Sequence, residues 1–324
     1  MNESPRRSQL NVLKLRALVR DHLGAPDGGE AGEFGAGAAL LRDGEAWVLL
    51  DEQPERGLGA ALAWALRRDA VAVHVLADRA TGLLARRAAG FRYPISVWHV
   101  DGRTLLPAVP EPLPQPAEPL AAHMEMAATI TAGGALPVVE HGVLAGEVEG
   151  LEVCRVVTDD ATQSVRLEVG VGAHDREAFQ MLHGDRPTAE ALADVVRSVA
   201  THRLPGAPRH PLNLLAQERA LRARVVADPS MIGATSATPV APPVARVNVK
   251  DAVPCVATAV VDGRSAAVVC SSGVDLDVIP FAVDACAALG CSEGLVVLPA
   301  RDALDIQRRL AMLAIPALTV VSVA

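Results

Sequence analysis

The residues with the most chemistry fall between positions 120 and 238. Six of the nine histidines are there: His123, His141, His174, His183, His202 and His210. So are Glu140, Glu147, Glu149, Glu152, Glu168, Asp175, Glu177 and Asp185. A β-hairpin is expected over residues 151–157 and 165–171, joined by the loop 158–164. If Val157 faces Val165, then Cys154 faces Glu168 and Glu152 faces Gly170. Side chains alternate across a strand, so Glu152, Cys154, Arg166 and Glu168 share one face. Two carboxylates set diagonally beside a glycine suit a hard divalent cation, Mg²⁺ or Mn²⁺. The competing reading, which the residue types favour, is a solvent-exposed sheet face with Arg166 and Glu168 as ordinary surface charges.

The second candidate is the strand-to-helix junction Gly170-Val171-Gly172-Ala173-His174-Asp175-Arg176-Glu177. Gly170 and Gly172 permit close backbone approach, and a following helix offers free N–H groups to an anion. His174 and Arg176 complete such a phosphate or carboxylate pocket, with His174 also the acid/base candidate. In the competing reading, Asp175 and Glu177 cap the helix and complement its dipole. No His-x-x-x-His pair, Cys/His zinc pattern, phosphate loop, dinucleotide fingerprint or nucleophile elbow is present. Asp275 and Asp277 read as caps of the helix that follows them.

Elements that position these residues follow from the patterning. Two proline-rich stretches, 107–119 and 239–243, divide the chain. They give an N-terminal unit over 1–107, a linker over 108–119, a middle unit over 120–238, a linker over 239–243 and a C-terminal unit over 244–324. The first unit opens with an amphipathic helix carrying Leu15, Leu18, Val19 and Leu23 and stopped by Gly24. A hairpin about Asp43-Gly44 and an alternation of helices and strands follow. The last unit repeats this order about Asp262-Gly263, at an offset of 219 residues, and Pro94 aligns with Pro316 at 222. The expected fold is α/β: three small mixed-sheet α/β units, the first and last a duplicated ββαβαβ unit, the middle one more helical.

Composition removes several function classes. The chain has 324 residues, half of them apolar, enough for more than one buried core. Three Trp, one Tyr and four Phe are too few for base-stacking platforms. A net charge of -8 disfavours a long nucleic-acid track. Only Lys14 and Lys250 are lysines among the 30 basic residues, a bias that looks like a GC-rich bacterial genome rather than selection of each arginine. The five cysteines (Cys154, Cys255, Cys270, Cys286, Cys291) make an odd count without a Cys-x-x-Cys pair. That points to reduced thiols and a cytoplasmic location. Neither a secretory leader nor a membrane helix is expected.

The order helix, strand, carboxylate-bearing hairpin, helix over residues 120–182 resembles the core of the PD-(D/E)xK nuclease-like superfamily. That resemblance places Glu152 at the first acid and Glu168-Val169-Gly170 at the acid-x-lysine motif. Family members hold Mg²⁺ with the acids and use the lysine to position the nucleophilic water. Here Gly170 stands at the lysine position and the middle unit has no lysine, so the resemblance implies a degenerate site.

Three functions are carried forward. The leading one is a non-catalytic multidomain interaction or assembly protein, with a protein partner or self-association. The alternative is a metal- or phosphate-dependent enzyme in the middle unit, with Glu152 and Glu168 on the metal, and His174 and Glu168 in catalysis. The third is a regulatory module that binds a small phosphorylated or otherwise anionic ligand at Gly170, Gly172 and Arg176.

Overall fold

The computed structural model describes residues 3–35, 37–183, 188–203, 206–208, 210–245 and 253–324, with residues 3–5 and 179–183 described by backbone alone. Asp185 and the side chain of His183 therefore lie outside the described residues. The protein is mixed α/β, built on three sheets.

The first sheet is ordered β1-β2-β3-β4-β5-β6. Its strands are β1 (Glu30–Gly32), β2 (Gly37–Arg42), β3 (Glu45–Leu50), β4 (Ala72–Ala77), β5 (Ile95–Asp101) and β6 (Thr104–Pro107). Helix α1 (Glu3–Leu23) precedes it, α2 (Leu58–Leu66) joins β3 to β4, and α3 (Thr81–Ala88) joins β4 to β5. These two helical connections make β3, β4 and β5 parallel, while the hairpins at either side are antiparallel. The Asp43-Gly44 turn forms as expected, with both residues left-handed at φ 52° and 80°.

Next come α4 (Ala121–Met124), α5 (Ala127–Ala132) and an antiparallel sheet ordered β10-β9-β8-β7. Its strands are β7 (Leu136–Glu140), β8 (Val143–Val148), β9 (Leu151–Thr158) and β10 (Val165–Val169). The run 136–157 reads in sequence as one β stretch. It is three strands, because His141-Gly142 and Glu149-Gly150 each turn the chain through two left-handed residues. Then follow α6 (Ala173–His183), α7 (Thr188–Arg203) and α8 (Gln217–Ala227).

The last sheet is ordered β11-β12-β13-β14-β15, from β11 (Ser236–Val240), β12 (Cys255–Val261), β13 (Arg264–Cys270), β14 (Glu293–Pro299) and β15 (Ala317–Val323). Helix α9 (Val278–Leu289) joins β13 to β14, and α10 (Asp305–Met312) joins β14 to β15. The Asp262-Gly263 turn has φ 48° and 75°, matching its counterpart 219 residues earlier. Residues 239–243 are not all linker, as expected from their prolines: Pro239 sits inside β11 opposite Ala257. An edge strand tolerates it, since proline needs no partner for a missing N–H there.

By its contacts the chain divides into two compact units, neither contiguous in sequence. One comprises Met1–Leu113, Val274–Gly294 and Ala303–Val320, the other Pro114–Gly273, Leu295–Asp302 and Val321–Ala324. In the first unit, Leu15, Leu18 and Val19 of α1 close over Leu40, Trp47, Leu49 and Leu76. The two repeats meet inside this unit at corresponding places, just past α3 and α10. Phe91 and Ala314 form an antiparallel bridge, with Arg92 N–H donating to Leu313 at 2.8 Å and Ile315 N–H to Gly90 at 2.7 Å.

A buried ion cluster lies in the same unit. Arg87, 2 % exposed, donates to Asp277 at 2.8 Å and Asp284 at 3.4 Å, and Arg86 holds Asp284 through two bonds at 2.8 and 3.0 Å. Asp277 therefore does not cap α9 with its side chain, as the sequence suggests. Its carboxylate turns to Arg87 and to the Gly59 N–H at 3.1 Å, while Asp275 accepts from the Asp277 N–H. Burial pushes the Asp277 carboxyl up to about 6, against the pull of Arg87.

Among its described residues the second unit shows two apolar clusters. One joins the four-stranded sheet to α5 and α7 through Ile130, Leu144, Val153, Cys154, Val156 and Leu192. The other joins Leu221 and Val225 of α8 to Ala257, Val268 and Val297. All five cysteines are buried and none is in a disulfide, as expected. Burial pushes Cys154 and Cys286 up to about 12, so neither supplies a thiolate near neutrality. No helix among the described residues is long and apolar enough to cross a membrane.

Candidate functional site

Strand pairing decides which side chains share a face of the four-stranded sheet. Thr158, not Val157, lies opposite Val165, so Glu168 faces Arg155 and Cys154 faces Val169. The expected register is off by one residue. The loop sets this shift: Asp159 N–H donates to Ser164 at 2.9 Å, and its carboxylate accepts from the Ala161 and Thr162 N–H groups. A one-residue slip reverses every side chain and would send Glu152 to the face opposite Glu168. A second irregularity returns it. Gly146 faces Cys154 but Glu147 faces Glu152, leaving Val153 as an extra residue on β9. Val153 and Cys154 then both point into the core, each fully buried. Gly146 makes the room, since a Cβ there would stand 2.5 Å from the Cys154 sulfur.

The outcome is one charged face carrying Glu140, Glu147, Glu152, Arg155, Arg166 and Glu168. Glu152 and Glu168 share it, as expected, but Cys154 does not. Helix α8 lays Arg219 and Arg222 over this face, one helical turn apart. Arg222, 1 % exposed, clasps Glu147 with bonds at 2.9 and 3.0 Å and also binds Glu140. Arg219 binds Glu140 and lies 3.5 Å from Glu147 and 3.6 Å from Glu152. Arg155 holds both oxygens of Glu152, at 2.9 and 3.0 Å. Arg176 donates to Glu152 at 3.0 Å and turns its Nε toward Glu168 at 3.6 Å. Arg166 completes the row on Glu168 and Asp159.

Glu152, Glu168 and Arg176 therefore converge, and the guanidinium stands where the carboxylates would share a cation. Arg176 and Arg219 each leave a buried Nε without a hydrogen bond, facing carboxylates at ion-pair distance. Burial would raise Glu140, but the charges of Arg222 and Arg219 outweigh it and hold the carboxyl below its ordinary range. Glu147 is more deeply buried, and there desolvation prevails and pushes the carboxyl up. A pocket of about 110 Å³ beside Glu140, Glu147, Glu152 and Arg219 has room for a few waters, well short of the ~300–1,000 Å³ typical of a ligand site. Among the described residues, no group of three or more His, Cys, Asp or Glu side chains is placed to hold a metal ion.

The junction after β10 is closed by its own residues. Gly170 has φ 139°, and a Cβ there would stand 2.8 Å from the Arg176 nitrogen, so only glycine fits under the first turn of α6. Gly172 is left-handed at φ 82°, and its carbonyl accepts from Arg176 N–H. The Asp175 carboxylate accepts from Val171 N–H at 2.7 Å, taking the place an anion would occupy. Arg176 is buried against Glu152 and Glu168, whereas His174 is exposed. The pocket expected of Gly170, Gly172, His174 and Arg176 does not assemble, because the acids of the sheet claim the arginine.

No protein-family model matches the chain, and no curated protein or solved structure does. The site's meaning therefore rests on its own geometry. In the first unit a crevice of about 620 Å³ opens beyond the carboxyl ends of β3 and β4, a usual place for ligands of open α/β sheets. Its Arg7 pairs with Asp51 and Glu52, and its Arg56 with Asp275, so acids meet these cations too. Arg219 and Arg222 escape notice in the sequence because arginine is so abundant in this chain. Their spacing of three on a helix is the one local signal that they act together.

Proposed function

We propose that the protein is non-catalytic, resides in the cytoplasm, and works by binding a protein partner or by self-assembly. The observation that carries this reading is Arg176 seated between Glu152 and Glu168. The residues best suited to metal chemistry serve as one half of an internal ion-pair network. The other half, Arg155, Arg176, Arg219 and Arg222, is equally engaged. A nuclease-like, metal-dependent enzyme would need a cation to displace a buried guanidinium, and His174 would have to act from an exposed position away from that pair. Support also comes from the proline-rich segment 108–119, mostly exposed and without helix or strand, where each proline fixes its own φ and so lowers the entropy lost when a partner docks. Light scattering on the purified chain is expected to give a mass above that of one copy, or crosslinking in lysate a reproducible partner. A strict monomer that captures nothing overturns the reading.

A further inference from the structure

The face of the first sheet beneath α1 holds a polar group the proposed function does not use. His74 lies on β4 opposite Trp47 of β3, and their rings stack at 3.8 Å with an interplanar angle of 12°. Trp98 of β5 directs its indole Nε1–H at His74 Nδ1, 3.2 Å away. Glu45 Oε2 lies 3.0 Å from His74 Nε2. An indole N–H can only donate, so Nδ1 must be the bare, accepting nitrogen. The ring proton is then on Nε2 and is donated to Glu45. The contacts alone define His74 as the neutral Nε2–H tautomer.

A second proton has one place to go, Nδ1, where it meets the Trp98 N–H. Two donors would then face each other and the bond is lost. Trp98 is also the partner of α1: His22, in the last turn of that helix, stands edge-on to its ring at 4.5 Å and lies 5.8 Å from Trp47. We propose that His74 is a proton-operated switch, in which protonation of Nδ1 breaks the bond to Trp98 and, through the Trp98–His22 contact, loosens the last turn of α1.

The surroundings make both states accessible. Glu45 favours the cation by charge and hydrogen bond, and the Trp47 face favours it as a cation–π partner. Burial and the nearby His22 oppose it. Of the other packed elements, β5 presents Trp98 and Ser96, β4 presents Ala72 and Leu76, and Arg42 of β2 is paired with Asp43. Burial prevails and holds His74 below the ordinary histidine value, so the ring is neutral at pH 7. The folded state then binds fewer protons than the unfolded chain just below pH ~6.5. The stability this group contributes is complete above that pH and is lost as pH falls toward the folded value.

The test uses the full chain between pH 7.5 and 5, read by tryptophan fluorescence and by hydrogen exchange over residues 16–23. Wild type is expected to show a fluorescence transition with its midpoint below 6.5, the ordinary histidine value. Exchange in the last turn of α1, corrected for the intrinsic pH effect, should rise about tenfold across it, as a loss of ~1.4 kcal/mol of local protection requires. His74→Gln keeps an acceptor for Trp98 and a donor for Glu45 but does not titrate, and should lose both changes. Glu45→Gln, at a partly exposed position, should move the midpoint to lower pH. A transition that persists in His74→Gln, a midpoint that rises or stays in Glu45→Gln, or α1 exchange that ignores pH in wild type would overturn the proposal.

Discussion

Replacing Arg222 with methionine is expected to cost the fold about 3–5 kcal/mol, the usual penalty for stripping one partner from a buried ion pair. The change leaves Glu147, 4 % exposed, and half-buried Glu140 without the guanidinium that clasps both. Arg219 cannot replace it, since it already spans Glu140, Glu147 and Glu152. Urea denaturation followed by circular dichroism measures the loss. Adding Glu140→Gln and Glu147→Gln to the same chain should recover most of it, because desolvated charge rather than missing volume causes the damage. A penalty under about 1 kcal/mol, the level of a surface salt bridge, would mean that this face is open to water.

Arg87→Met should be comparably severe in the first unit, and its cost should depend on pH. Asp277 and Asp284 are both buried against Arg87. At pH 8 the variant must bury the Asp277 charge without its main counterion. In acid Asp277 takes up a proton and the difference shrinks. The sign in wild type follows from the same group. Its folded value of about 6 lies above the usual carboxylate range, so between pH ~4 and that value the folded state holds a proton the unfolded chain has released. This group's contribution is therefore largest in acid and falls as pH rises through the window. The difference in stability between wild type and Asp277→Asn, measured from pH 4 to 8, isolates it. A flat difference would refute the assignment.

Much of the fold is legible in the sequence, because its strongest signals are local. Asp43-Gly44 and Asp262-Gly263 are backbone requirements for tight turns, and both form at the same place in each repeat. His141-Gly142 and Glu149-Gly150 carry the same signal, but the apolar run around them hides it. The candidate face is legible only by compensation. The one-residue shift at Val165 and the extra residue at Val153 each reverse Glu152 relative to Glu168. Together they restore the pair while burying Cys154 and bringing Arg155 outward. Neither can be read locally: the first depends on how the Asp159 loop closes, the second on the space Gly146 leaves beneath β9.

The partners of the acids are harder still to read. Arg176 lies 24 residues from Glu152, and Arg222 lies 75 from Glu147. No spacing rule links such residues, and a chain rich in arginine offers many other candidates. The sequence thus makes the acids look available for a ligand, whereas packing shows them occupied by the chain itself.

Titration calorimetry with Mn²⁺ on the wild-type chain tests that occupancy most directly, with Glu168→Ala as the control. If Arg176 is the counterion of Glu152 and Glu168, both proteins give equal, negligible heats. A saturable one-to-one binding heat in wild type that disappears in Glu168→Ala would show that a cation takes the arginine's place. That result would contradict the non-catalytic reading.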